Sequence, residues 1–264
     1  MSYQKIFAVV NEHTSSTVAA RYAIALAASV NAALVLYTAH DEGTNELSLR
    51  HTERHLDHLH TVAFELGVSV TRITETGTIT AQLSKRVRAE GADLVFYPLT
   101  PNERYGALMH RPVAGQLLRT VKADLAIMRI VHMGKPYPRN ILVPLGGIIN
   151  DLERRRLFVS ALAKCFHARV TIFHRPEGGR AKKQPADIAR FRNDLQEHHV
   201  KILERSRKGH IAKAIILEAI TRHNDLIVLG ASERGFLNRL FFGSPSGDVM
   251  RHPPCNAILF RASP

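Results

Sequence analysis

The sequence has no tryptophan, only two cysteines in 264 residues and an aromatic content of 6%. Two thiols leave no disulfide framework to staple a small fold, and neither Cys165 nor Cys255 has a cysteine or histidine at metal-binding spacing. Both read as small core residues. No run approaches the roughly 18 consecutive apolar residues of a membrane span, and Met1-Ser2-Tyr3-Gln4-Lys5 leads into a strand pattern without a signal-peptide core. The expectation is a cytoplasmic protein with no membrane span. Acidic residues are scarce too, 23 Asp and Glu against 36 Lys and Arg, a net charge of +13. The excess is scattered and no aromatic-interleaved basic motif accompanies it, so it predicts a solvated basic surface and no sequence-specific nucleic-acid partner.

Catalytic signatures are missing as well. There is no Walker A lysine loop, no G-x-S-x-G, no HExxH, and no carboxylate pair placed for acid–base work, which argues against a metabolic enzyme and assigns no catalytic residue. His51, His55 and His58 share one side of a helical pattern, but that side lies away from its apolar stripe, and they read as exposed histidines rather than metal ligands. Lys182 and Lys183 read as part of a solvated basic loop.

What the chain does contain is a repeat. Residues 25–37 lie over residues 161–173 without a gap, Lys5–Asn11 matches Asn140–Gly146, and Asp93–Tyr97 matches Asp225–Leu229. Between the copies, residues 132–139 hold two prolines and no periodicity, as a linker does. The predicted domains are 1–132 and 139–264. In each copy, apolar runs of strand length alternate with helical patterns: Val18, Tyr22, Ala25, Leu26, Ser29 and Val30 share a face in the first, and Phe158, Ala161, Leu162, Cys165 and Phe166 in the second. A second helix near 45–66 carries Leu49, Leu56, Leu59, Ala63 and Leu66, and its shorter counterpart near 186–198 carries Ile188, Phe191 and Leu195. Alternation of this kind predicts an α/β fold, a parallel sheet with helices on both faces, in each copy. Ligands of such sheets bind beyond the carboxyl ends of the strands, where Gly146 and Gly230 fall.

The most distinctive stretch is Asp225-Leu226-Ile227-Val228-Leu229-Gly230 followed by a loop to Gly243-Ser244-Pro245-Ser246. Leu226 to Leu229 suits a strand buried on both faces, Gly230 admits close backbone approach, and Gly243-Ser244 bares amides where Pro245 opens a helix. The same Ser244-Pro245 pattern also makes a sound helix start with no ligand. Here the sequence resembles the universal stress protein family, whose nucleotide-binding members carry Gly, two residues, Gly, nine residues, then Gly-Ser or Gly-Thr. Gly230, Gly243 and Ser244 match; Glu233 stands at the second glycine. The resemblance covers nearly the whole chain and implies two tandem Rossmann-like, adenine-nucleotide α-hydrolase-like domains, each with a five-stranded parallel sheet.

Carried over residue by residue, the resemblance implies Pro144 and Leu145 at an adenine, Gly146 where the family holds adenosine with an acidic residue, Arg175 after the second strand, and Leu229, Gly230, Ser232, Gly243, Ser244 and Ser246 around phosphates. With the first-strand acid absent and Glu233 in the loop, two readings stand side by side: a C-terminal half that holds ATP or another adenine nucleotide, and one that holds none. The N-terminal half has Pro98 at the strand end and Arg111-Pro112 at the Gly-Ser position, and reads as structural. The function implied is a cytoplasmic, non-catalytic stress-response regulator, with a nucleotide-free protein-interaction module and a weak ATP-hydrolysing enzyme as alternatives. The partners expected are the other half of the same chain, through the last strands near Leu125–Ile130 and Ala257–Phe260, then a second copy as a homodimer, and an unidentified protein.

Overall fold

The computed structural model describes residues 2–100, 113–134, 137–146, 151–174, 186–198, 200–206, 209–231 and 245–263. The chain divides into two units: unit 1 is Met1–Pro136 with Ala262–Pro264, and unit 2 is Tyr137–Arg261.

Unit 1 runs β1 (Lys5–Val9), α1 (Thr14–Val30), β2 (Ala33–His40), α2 (Glu46–Glu65), β3 (Val70–Thr76), α3 (Ile79–Ala89), β4 (Leu94–Pro98), α4 (Val113–Thr120) and β5 (Asp124–Arg129). Its strands are parallel and lie in the order β3-β2-β1-β4-β5. Every residue of β4 is buried, whereas outer β3 alternates half-buried and exposed positions, as expected of a covered central strand and an edge. In α2 the Asn45 side chain accepts from the Ser48 N–H at 2.8 Å, and Leu56, Leu59 and Ala63 are buried. Leu66 lies just past this helix and is 52% exposed, so the buried apolar stripe ends at Ala63, three residues earlier than its periodicity predicts. Ser29, placed on the buried face of α1 by spacing, is exposed in the last turn, while Ala19, Ala20 and Ala23 let the helix lie close on the sheet. Asp124 is fully buried and satisfied, accepting from the Tyr3 hydroxyl at 2.8 Å and the Ser263 N–H at 2.7 Å.

Unit 2 repeats the plan: β6 (Asn140–Leu145), α5 (Leu152–Cys165), β7 (Arg169–His174), α6 (Ala186–Glu197), β8 (Ile202–Ser206), α7 (Ile211–Thr221), β9 (Leu226–Gly230), α8 (Pro245–Arg251) and β10 (Asn256–Arg261). The strands are parallel, in the order β10-β9-β6-β7-β8. Phe158 of α5 stacks on Phe260 of β10 with ring centroids 4.4 Å apart, and Ile188, Phe191 and Leu195 are the buried face of α6. The fold is therefore the α/β architecture the alternation predicts, with two copies of one parallel-sheet unit.

The copies share their turn chemistry as well as their order. Asp93 accepts from the N–H groups of Gln4 and Lys5 at 2.6 and 2.8 Å, and Asp225 accepts from those of Arg139 and Asn140 at 3.0 and 3.1 Å. Each carboxylate ties the entry of a unit's first strand to the entry of its fourth. Left-handed residues also recur at matching positions: Asn31 (φ 55°) with His167 (φ 49°), and Gly91 (φ 61°) with His223 (φ 49°).

Candidate functional site in the C-terminal unit

In both units the strand order reverses between the first and fourth strands, β1 and β4 in one, β6 and β9 in the other. A crevice at the carboxyl ends of such a pair is where open α/β sheets take ligands. β6 pairs with β7 along all six residues, from Asn140 opposite Arg169 to Leu145 opposite His174, but its recorded pairing with β9 covers only Ile141 and Leu142. Pro144 follows, bringing no N–H to a ladder. The β6 strand ends with Leu145 buried and Gly146 exposed, and β9 ends with Leu229 buried and Gly230 half-buried. Pro144, Leu145, Gly146, Leu229 and Gly230 thus come together at the ends of neighbouring strands. Ser246, in the first turn of α8, donates its hydroxyl to the Gly230 carbonyl at 3.2 Å, tying that helix to the strand end. Pro245 opens α8, where its missing N–H costs nothing. Arg175, Ser232, Glu233, Gly243 and Ser244 lie outside the described residues, as do Arg111, Pro112, Lys182 and Lys183.

The decisive neighbour of Gly230 belongs to the same chain. A Cβ built at Gly230 would overlap Nη1, Nη2 and Cζ of Arg155, so glycine is what leaves the guanidinium room to lie on the backbone. The Gly230 backbone is not left-handed; what the glycine supplies is space. Arg155 stands in the first turns of α5 and is half-buried, and its Nε is enclosed with no hydrogen-bond partner among the described residues. Burial pushes its guanidinium down to about 10, opposed by the charge of Asp151, and it stays fully cationic at neutral pH. Its neighbour Arg156 differs, meeting Glu153 at 2.7 Å, Asp194 at 3.6 Å and the His198 ring at 3.1 Å. On the far side of β6, His174 at the end of β7 lies 3.0 Å from Glu204, which Arg192 also approaches at 3.4 Å.

Sequence reasoning missed Arg155. A signal was present: Arg154-Arg155-Arg156 puts three cations at the start of a helix, where the macrodipole disfavours them. The repeat sharpens it. The residue matching Arg155 in unit 1 is Ala19, fully buried, and the residue matching Gly230 is Pro98. Where one copy has an alanine and a proline, the other has an arginine and the glycine that makes room for it.

Unit 1 has a cavity of about 200 Å³ beyond β2 and β3, whose lining includes Glu12, Asp41 and Glu53 and no lysine or arginine. Its polarity is opposite to that of the Arg155 corner. His55 Nδ1 lies 2.8 Å from the Asn11 carbonyl and His58 Nε2 lies 3.1 Å from Arg21, so the helical histidines have separate partners. Among the described residues no group of three His, Cys, Asp or Glu is placed to hold a metal ion, and no helix is long and apolar enough to cross a membrane.

The sequence profile described as the Universal stress protein family matches residues 139–261. The chain is also similar in structure to a universal stress protein from Archaeoglobus fulgidus DSM 4304, with 14% identity, 98% of this chain and 96% of that one covered, and a TM-score of 0.68. A functionally unknown protein from Pseudomonas aeruginosa PAO1 matches at 16% identity, 99% and 93% coverage and a TM-score of 0.68. The cytoplasmic domain of a prokaryotic cation chloride cotransporter matches at 11% identity, 100% and 96% coverage and a TM-score of 0.63. Likeness at such identities shows the fold alone, and proteins of different function share it. No curated protein matches the chain.

Proposed function

We propose that the chain, whose residues 139–261 match the Universal stress protein family, is a cytoplasmic, non-catalytic stress-response regulator of that family that binds ATP or another adenine nucleotide in its C-terminal unit. The observation that carries this reading is the convergence of Gly146 and Gly230 at the ends of β6 and β9, beside a cation, at the switch in strand order. The N-terminal unit has Pro98 at the matching strand end and serves as the structural partner. Nucleotide acts by favouring one conformation or assembly of the chain over another, in proportion to its difference in affinity for the two.

Mass spectrometry of small molecules released from the purified protein, followed by calorimetry with ATP and AMP, tests this reading. The expected result is an adenine nucleotide bound at one per chain. No released nucleotide, no heat with either compound and no thermal shift would instead leave a nucleotide-free interaction module. Sustained ATP turnover above background would contradict the non-catalytic assignment.

A further inference from the structure

We propose that Arg155 is the specificity-determining residue of the C-terminal unit, a cation held over Gly230 to take a phosphoryl or other oxyanion group of the ligand. The inference deepens the nucleotide reading and rests on it for the identity of the ligand, though not for its anionic character.

Three observations converge. The guanidinium lies against the backbone at the carboxyl end of β9, in space that only glycine leaves free. Its Nε is enclosed with no hydrogen-bond partner among the described residues; that of Arg156 is too, but Arg156 lies within 4 Å of two carboxylates, Glu153 and Asp194. The matching position in unit 1 is Ala19, fully buried against apolar neighbours, so the fold itself does not require a polar group there. Asp151 offsets only part of the cost of enclosing this cation, and a chain that keeps it where a glycine accommodates it retains it for an anion. A guanidinium suits this task because its planar fork presents several donors to two oxygens of one phosphoryl or carboxylate group.

The polarity of the corner follows. At the end of β6 the chain has Gly146, with no carboxylate at that position to grip a sugar hydroxyl, and the charge laid on the end of β9 is the Arg155 cation. Recognition in this unit is therefore centred on the anionic end of the ligand and not on its nucleoside. Adenosine should bind weakly, and inorganic phosphate or tripolyphosphate should bind without any base attached.

Calorimetry on the full chain with ATP, adenosine, inorganic phosphate and tripolyphosphate, for the parent, Arg155→Met and Arg155→Lys, tests the assignment. Arg155→Met should lose about tenfold to a hundredfold in affinity for ATP and tripolyphosphate, the range of a charge-assisted hydrogen bond, and leave adenosine binding unchanged. Arg155→Lys should recover part of the loss, since it keeps the charge without the fork. Circular dichroism of each variant checks folding. If Arg155→Met fails to fold, Gly230→Ala, which displaces the guanidinium without removing it, should show the same selective loss. Equal or tighter ATP and tripolyphosphate binding by Arg155→Met overturns the inference while sparing the nucleotide reading. Tripolyphosphate binding that needs Arg155, with no preference for ATP, removes the nucleotide and upholds the anion site. A parent protein that binds neither phosphate nor tripolyphosphate nor ATP overturns both.

Discussion

Arg155 and Gly230 are complementary: the arginine lays its guanidinium on the glycine's backbone, and any side chain at 230 would occupy the same volume. The two come from different elements, α5 and β9, and the equivalent positions of the other unit, Ala19 and Pro98, need no such fit. The complementarity makes the pair energetically coupled.

Gly230→Ala should displace the flexible Arg155 guanidinium and destabilise the protein by about 0.5–1 kcal/mol. In an Arg155→Ala background the same substitution should be nearly neutral. Urea denaturation of the four proteins of the cycle measures the coupling, and additive effects would show that the two side chains do not compete for one space.

Ligand-free Arg155→Met should be more stable than the parent at pH 7, by about 1–3 kcal/mol after allowance for the residue's partial exposure. The sign follows from the lowered value of about 10 in the folded state. Between that value and the ordinary arginine range the unfolded chain binds more protons, so this residue's contribution to parent stability rises with pH there. The penalty is complete below pH 10 and relieved above it. The advantage of the methionine variant should shrink in melts at pH 10.5 to 11, and an advantage that stays constant or grows would contradict the assignment.

His223 holds a left-handed conformation at φ 49°, where the matching residue of unit 1 is Gly91 at φ 61°. Its side chain is exposed, so His223→Gly removes backbone strain at little loss of packing. A gain of about 0.5–1 kcal/mol is expected, read as a higher denaturation midpoint of unit 2. An unchanged or lower midpoint would show that the histidine is held by something other than its backbone.

Asp225→Ala should cost about 1–3 kcal/mol, because it strips the acceptor from the Arg139 and Asn140 N–H groups. Asp93→Ala should cost a similar amount through Gln4 and Lys5. The asparagine variants, which keep one acceptor oxygen, should lose less. Equal losses for alanine and asparagine at both sites would mean that charge, and not the amide acceptors, carries the effect.

Glu75 is held below the usual carboxylate range: burial raises it, but the hydrogen bonds from Tyr37 at 2.6 Å and from Arg86 outweigh that. A lowered folded value contributes stability above the ordinary carboxylate range, and that contribution is lost as the pH falls through the folded value. Glu75→Gln should therefore be less stable than the parent near neutrality, and the gap should close at acid pH. Denaturation midpoints at pH 7 and pH 3 measure it; a gap that is widest at pH 3 would reverse the sign.

Much of this fold is written in local pattern. The offset match of residues 25–37 with 161–173 and of Asp93 with Asp225 predicts two copies of one unit, and the structure gives those aspartates the same pair of amides to hold in each. Apolar runs such as Leu94–Tyr97 and Leu226–Leu229 are buried strands because period and burial are properties of neighbours along the chain. Helix ends were less legible: Ser29 and Leu66 sit at positions the 3.6-residue period assigns to the core, but Ser29 is exposed in the last turn of α1 and Leu66 is exposed just past the end of α2. At the site, the meeting of Gly146 with Gly230 followed from strand order, a consequence of the alternation of elements. The role of Gly230 did not. Whether a glycine opens a backbone to a ligand or to a side chain 75 positions away depends on which residue the fold brings above it, and only the packing of α5 over the end of β9 places Arg155 there. Local pattern determined the strands, the helices and the repeat; tertiary packing decided the charge of the site.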